Sequence, residues 1–210
     1  MRLIGRHGGM TIEQAMRATG AGRTATYRRF ALYQRAGLVE RCLILGADSA
    51  LLHATSAGLR FAGLGLPVAA ISPATVAHML RCTSVAISLG EKTGHDAVLT
   101  EREIVLEEAI SGRPIASVPV GWFRGRPKMH RADLAVLVDE GTVAVEVELT
   151  PKAPARLRGI LTAWAMAVSA GVLAEVRYFC EPGQTFRAVE RAVTSAGAQG
   201  SITLSDKVPR

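Results

Sequence analysis

Apolar positions recur at helical spacing early in the chain. Thr11 to Thr19 opens on a capping residue, and Ile12, Ala15 and Met16 then share a helical face. Gly20 to Gly22 interrupts the pattern. It resumes from Arg23, with Tyr27, Phe30 and Tyr33 recurring until Gly37 offers a C-terminal cap. Two apolar runs then flank Gly46 to Ser49, which predicts a β-hairpin. Thr55 is positioned to cap a short helix behind it. Helix, short glycine-containing turn, helix and hairpin together predict a winged helix-turn-helix over residues 1–70.

Two prolines between Leu64 and Thr75 mark the expected boundary. Pro73 can occupy the first turn of a long apolar helix reaching Glu91. Thr100 followed by Glu103 predicts a capping box and another helix. The Gly/Pro-rich, basic stretch from Ser111 to Met129, with Trp122 and Phe123 near its centre, reads as an irregular surface segment. Beyond it the pattern predicts a strand from His130 to Asp139, a tight turn and a second strand over Val143 to Leu149. A helix ending at Gly171, a strand over Glu175 to Glu181, a helix and a last strand at Ser201 to Ser205 follow. The expected class is α/β (α+β overall), with an α/β domain over 71–210. The strands at 143–149 and 175–180, joined through a helix, should be parallel.

The 210 residues are 49% hydrophobic and 20% charged, enough for a real core. No apolar run is long enough to span a bilayer, and the first ten residues lack the apolar stretch of a secretory signal. Cytoplasm is therefore the expected compartment, without a membrane partner. Cys42, Cys82 and Cys180 are odd in number and far apart, and the five histidines are scattered. Neither a disulfide framework nor a zinc site is indicated, and the histidines read as core or surface residues. A glycine-rich phosphate loop and a nucleophile elbow are also missing, which disfavours a small-molecule enzyme.

Net charge is +7, and its distribution is informative. The first 60 residues hold nine arginines against Glu13, Glu40 and Asp48, a net of +6. The rest of the chain is nearly neutral. A basic module ahead of a neutral one points to a polyanion, with nucleic acid ahead of membrane. Arg23, Thr24, Thr26, Arg28 and Arg29 crowd the start of the second helix, and Arg35 lies near its end. The N-terminal part of a recognition helix meets base edges and phosphates, so double-stranded DNA is the expected partner. Two such modules reading two half-sites would suit a homodimer, and docking of a partner protein is an alternative use for the module.

The segment AVEVELTPK, Ala144 to Lys152, raises a different question. It reads as a buried strand, yet Glu146 and Glu148 lie two apart and so face the same side. Buried like charges are costly without partners. Asp133 on the preceding strand can sit beside them. Three carboxylates on one face form a hard-oxygen set suited to Mg²⁺ or Mn²⁺, and Lys152 can reach the same place. Such parts serve phosphodiester hydrolysis. Pairing of the glutamates with Arg131, Arg156 or Arg158 on an edge strand is the structural alternative.

With Ala132, Asp133 and Leu134 on one strand and AVEVELTPK on the next, the chain resembles the PD-(D/E)XK, or restriction-endonuclease-like, fold. Its layout is similar to the actinobacterial replication-relaxation family, in which a winged helix precedes such a domain. The resemblance covers most of the chain in order, but its specific motif is only about twenty residues long. It implies a role with plasmid or mobile-element DNA and a divalent-metal-dependent endonuclease site. Asp133 matches the first acidic residue of the pattern and Glu146 the second. The chain departs from the pattern in two places: Glu148 stands where the triplet lysine belongs, and Ala132 where a proline precedes the aspartate. Lys152 is the candidate substitute for that lysine. A further glutamate from the preceding helix would be Glu103 or Glu107, with Glu101 as another choice. If the departure at Glu148 removes catalysis, the implied alternative is a non-catalytic DNA-binding regulator whose second domain dimerises or docks a partner.

Overall fold

The computed structural model describes residues 1–43 and 50–209. It is a mixed helix and sheet protein that divides into two compact units, Met1–Glu91 and Lys92–Arg210. Among the described residues no helix is long and apolar enough to cross a membrane.

The first unit begins with α1 (Arg2–His7), α2 (Ile12–Thr19) and α3 (Arg23–Arg35). Thr11 caps α2 reciprocally: its hydroxyl accepts from Gln14 N, and its own N–H donates to Gln14 Oε1. Gly20 ends α2 in the left-handed region at φ 66°. The hairpin pairs β1 (Val39–Cys42) antiparallel with β2 (Leu51–Ala54). Its expected tip at Gly46 to Ser49 lies outside the described residues. The Thr55 hydroxyl caps α4 (Ser56–Phe61) by accepting from Gly58 N. Ile4, Met10, Ala15, Phe30, Val39, Leu52, Ala54 and Leu59 form the core.

Pro73 opens α5 (Pro73–Thr93). The two units divide near the end of this helix, whereas the prolines had suggested residue 70. Side-chain bonds explain why α5 belongs with the first unit. Gln14 Nε2 donates to Leu80 O and Ser84 Oγ, and Arg17 makes a two-pronged contact with Glu91.

The second unit contains a 3₁₀ turn at His95–Ala97, β3 (Val98–Thr100) and α6 (Glu101–Ser111). Next come β4 (Ser117–Phe123), β5 (Arg126–Arg131), β6 (Leu134–Val138) and β7 (Gly141–Glu148). It closes with α7 (Pro154–Ser169), β8 (Glu175–Cys180), α8 (Gln184–Ser195) and β9 (Ile202–Ser205). Five strands form one sheet in the order β3-β6-β7-β8-β9. β7 pairs antiparallel with β6 and parallel with β8, as the helical crossover requires. Ala135, Ala144, Val176, Tyr178 and Cys180 line one sheet face. Leu157, Ile160, Leu161 and Trp164 of α7, with Val189 and Val193 of α8, pack in the same cluster.

Two elements depart from the sequence reading. The strand expected from His130 is split, with residues up to Arg131 in β5 and the sheet strand starting at Leu134. The stretch expected to be irregular is a β-hairpin: β4 pairs with β5 from Ser117↔Arg131 to Phe123↔Arg126. A register shift between Pro119 and Trp122 absorbs the proline and Gly121, which hid the alternation.

Candidate functional site

Strand register brings the predicted acids together. Ala135 pairs with Ala144, so Asp133 and Glu146 lie opposite each other one alternation further on. Glu146 and Glu148 then face Tyr178 and Cys180 across the parallel pairing. β7 is the third of five strands, not an edge. Glu146 is 2% exposed and Glu148 5%.

Each carboxylate has a protein partner. His130 Nε2 lies 2.7 Å from Glu146 Oε1, and Trp164 Nε1 donates to the same oxygen at 3.2 Å. The imidazole and indole rings meet edge to face, with centroids 5.7 Å apart. Asp133 Oδ2 accepts from Val147 N at 2.7 Å. The Lys152 ammonium bonds Glu148 Oε2, four residues away. The expected third metal ligand is therefore ion-paired with the lysine expected to join the site.

The electrostatics follow from this packing. Burial raises the Glu146 carboxyl above its ordinary value, and the Asp133 charge adds to the rise. The His130 hydrogen bond, and the charges of His130 and Lys152, pull it back. Burial also raises the Tyr178 hydroxyl, reinforced by Glu146, Glu148 and Asp133. The Cys180 thiol is pushed up to about 12 by burial first and then by Glu148. Cys180 is thus a neutral thiol at ordinary pH.

His130 and Trp164 were not legible as site residues. His130 was one of five scattered histidines, and Trp164 sat inside an apolar helix pattern. Strand alternation gave no signal, because residues three apart on one strand face opposite ways and only the break between β5 and β6 lets His130 join Asp133 beside Glu146. Glu103 is spent on its own helix cap. Its Oε2 accepts from both the N–H and the hydroxyl of Thr100. Arg131, one suggested partner of the strand glutamates, instead contacts Glu108 at 3.2 Å. Glu108 was missed as well. It accepts from Ile115 N, Ala116 N, Ser117 Oγ and Arg131 Nε, and so ties the end of α6 to the base of β4 and β5.

The carboxylate oxygens of Asp133 and Glu146 have the donor chemistry of a Mg²⁺ or Mn²⁺ site. A cation beside them would also offset the repulsion that helps raise Glu146. These two residues fit such an ion, and Glu148 is committed to Lys152.

On α3, Arg23, Thr24, Arg28, Arg29 and Arg35 are exposed. With about 3.6 residues per turn, Thr24, Arg28 and Arg35 project opposite Phe30 and Arg29 lies to one side, whereas Arg23, two turns before Phe30, is exposed at the first position of the helix. Arg23 lies over the Tyr27 ring, 5.6 Å from its centroid. Thr26 is a correction to the expected surface. It is 4% exposed, and its hydroxyl donates to Gly22 O. Its position one turn before Phe30 puts it on the core stripe. No family model, curated protein or solved structure matches the chain.

Proposed function

We propose that this is a DNA-binding protein whose second unit is a restriction-endonuclease-like domain with a divalent-metal-dependent phosphodiesterase site. In this reading the first unit is a winged helix, as in the replication-relaxation family that the layout resembles, and its targets are plasmid or mobile-element DNA. Arg23, Thr24, Arg28, Arg29 and Arg35 meet the duplex. The observation that carries the reading is the convergence of Asp133, Glu146 and Glu148 with the Lys152 ammonium on one sheet face.

Asp133 and Glu146 would hold Mg²⁺ or Mn²⁺, which when bound supplies charge neutralisation at phosphate and an acidified water. The chain's own groups set up the rest. His130 and Trp164 fix the Glu146 carboxylate by two hydrogen bonds to one oxygen. Val147 N–H fixes Asp133. Lys152, held by Glu148, would add positive charge beside a bound phosphate.

Calorimetric titration with Mn²⁺, paired with a plasmid-nicking assay, tests this reading. Wild type should bind the ion and nick supercoiled DNA, and Glu146→Ala should do neither while still binding duplex. Nicking retained in Glu146→Ala removes the assignment. A second reading, a non-catalytic DNA-binding regulator that dimerises or docks a partner through the second unit, is favoured by one observation. Glu148 occupies the triplet-lysine position and forms an ion pair with Lys152. Duplex binding by a wild type that binds no Mn²⁺ would select it.

A further inference from the structure

The β4–β5 hairpin is an arm with an unusual surface. Its tip exposes Trp122 at 77% and Phe123 at 64%. Large aromatic rings exposed to solvent at the tip of a hairpin, one on each face, are available for contact with a partner. From Ala109 to Ala132 the chain has five Lys and Arg and no acidic residue. The arm is thus apolar and cationic together.

Its geometry orders these groups. Phe123 pairs with Arg126, so only Arg124 and Gly125 form the turn. Both have positive φ, 50° and 76°, the backbone of a tight two-residue hairpin turn. The Arg124 guanidinium lies 5.2 Å from the Phe123 ring centroid. Phe123, Arg124, Arg126, Pro127 and Lys128 line an open recess. By strand alternation Arg126, Lys128 and His130 share one ribbon face, and the Phe123↔Arg126 pairing puts Phe123 there too. That face runs from the tip to the imidazole that contacts Glu146. Four residues of strand separate Arg126 from His130, about 13 Å. Trp122 and Met129 lie on the reverse face.

We infer that this arm is a track for single-stranded DNA: Phe123 stacks on an unpaired base, and Arg124, Arg126 and Lys128 hold the adjacent phosphates. Stacking needs bases with a free face, which a duplex does not offer along its length, and positive charge follows the backbone. Trp122 supplies a second stacking surface on the reverse face. The inference rests on the nucleic-acid reading above and names the form of DNA that reaches the acidic residues. An anionic membrane surface is the competing occupant. The cationic track that leads from the tip to Glu146 favours nucleic acid, because a membrane surface would engage the tip alone.

The test is fluorescence anisotropy with labelled oligothymidine and a duplex of equal length, in EDTA, on the full chain. Phe123→Leu should weaken oligothymidine binding about 5- to 100-fold and leave duplex binding unchanged. Arg126→Gln with Lys128→Gln should lower the salt slope for the single strand by about 1.4. These tip side chains are exposed, so melting temperatures should match wild type, and Trp122→Leu provides a second stacking variant. Wild-type affinity for oligothymidine in all the arm variants overturns the inference. So does equal weakening toward duplex, or wild-type pelleting with phosphatidylserine vesicles that the variants lose while binding oligothymidine normally. Arm-dependent single-strand binding by a protein that neither binds Mn²⁺ nor nicks would overturn the nuclease reading alone.

Discussion

His130 Nε2 and Glu146 Oε1 lie 2.7 Å apart, although the residues belong to different β structures. The base of the arm thereby meets the central strand of the five-stranded sheet. Trp164 completes the contact from α7. A carboxylate 2% exposed keeps its place because two ring N–H groups replace lost water.

Removing either donor should expose that dependence. Trp164→Phe preserves most of the buried volume but takes away the indole N–H. It should lower stability by about 1–3 kcal/mol, the cost of an unsatisfied buried group. His130→Phe should act similarly. Trp122→Phe, at a site 77% exposed, should change nothing measurable. Urea unfolding of the three variants checks this contrast.

Lys152 and Glu148 should behave as a unit. Lys152→Met leaves Glu148, 5% exposed, without its cation. Lys152 itself is partly exposed, so the loss should be smaller than for a deeply buried pair, about 1–3 kcal/mol. Adding Glu148→Gln should recover much of it. A double-mutant cycle by chemical denaturation measures the coupling, and purely additive losses would disprove it.

Glu108 should give a pH-dependent effect of definite sign. Burial works to raise its carboxyl, but hydrogen bonds from Ile115, Ser117, Arg131 and Ala116 together hold it below the ordinary value. A carboxyl lowered by folding adds stability above its unfolded value and loses it as pH falls through the folded one. Glu108→Gln should therefore destabilise by about 1–3 kcal/mol at pH 7. The deficit should shrink as pH falls below the ordinary glutamate value of about 4.3. Thermal melts of both proteins across that range would show the curves converging.

The α3 surface should separate charge from core. Arg28→Gln and Arg29→Gln should each reduce the salt slope of duplex binding by about 1, with little change in melting temperature. Thr26→Val should do the reverse, lowering stability through the lost bond to Gly22 O while sparing affinity. Anisotropy titrations at several salt concentrations, with parallel melts, distinguish the two patterns.

The sheet around the acidic residues was legible because alternation and helical periodicity are local signals. Glu146 and Glu148 announced their shared face two residues apart, and the register on β6 put Asp133 opposite. The helix–helix–hairpin order of the first unit was readable from caps at Thr11 and Thr55. The arm was not, because Pro119 and Gly121 break the alternation that a strand normally writes. The partners of Glu146 were hidden for another reason: His130 and Trp164 are 34 residues apart and meet only through tertiary packing. Thr26 was misplaced by grouping polar residues along α3 instead of around it.

The pairing order of the sheet has a kinetic consequence. β6 and β7 are joined by a two-residue turn between Val138 and Gly141, so their hairpin can form early. β8 joins β7 only after the chain has passed through α7. Until that step Glu146 lacks both Trp164 and the strand beside it, and water still solvates its carboxylate. The dehydration of this charge therefore falls late on the folding route. Substituting Glu146 should alter the rate at which the second unit unfolds more than the rate at which it folds.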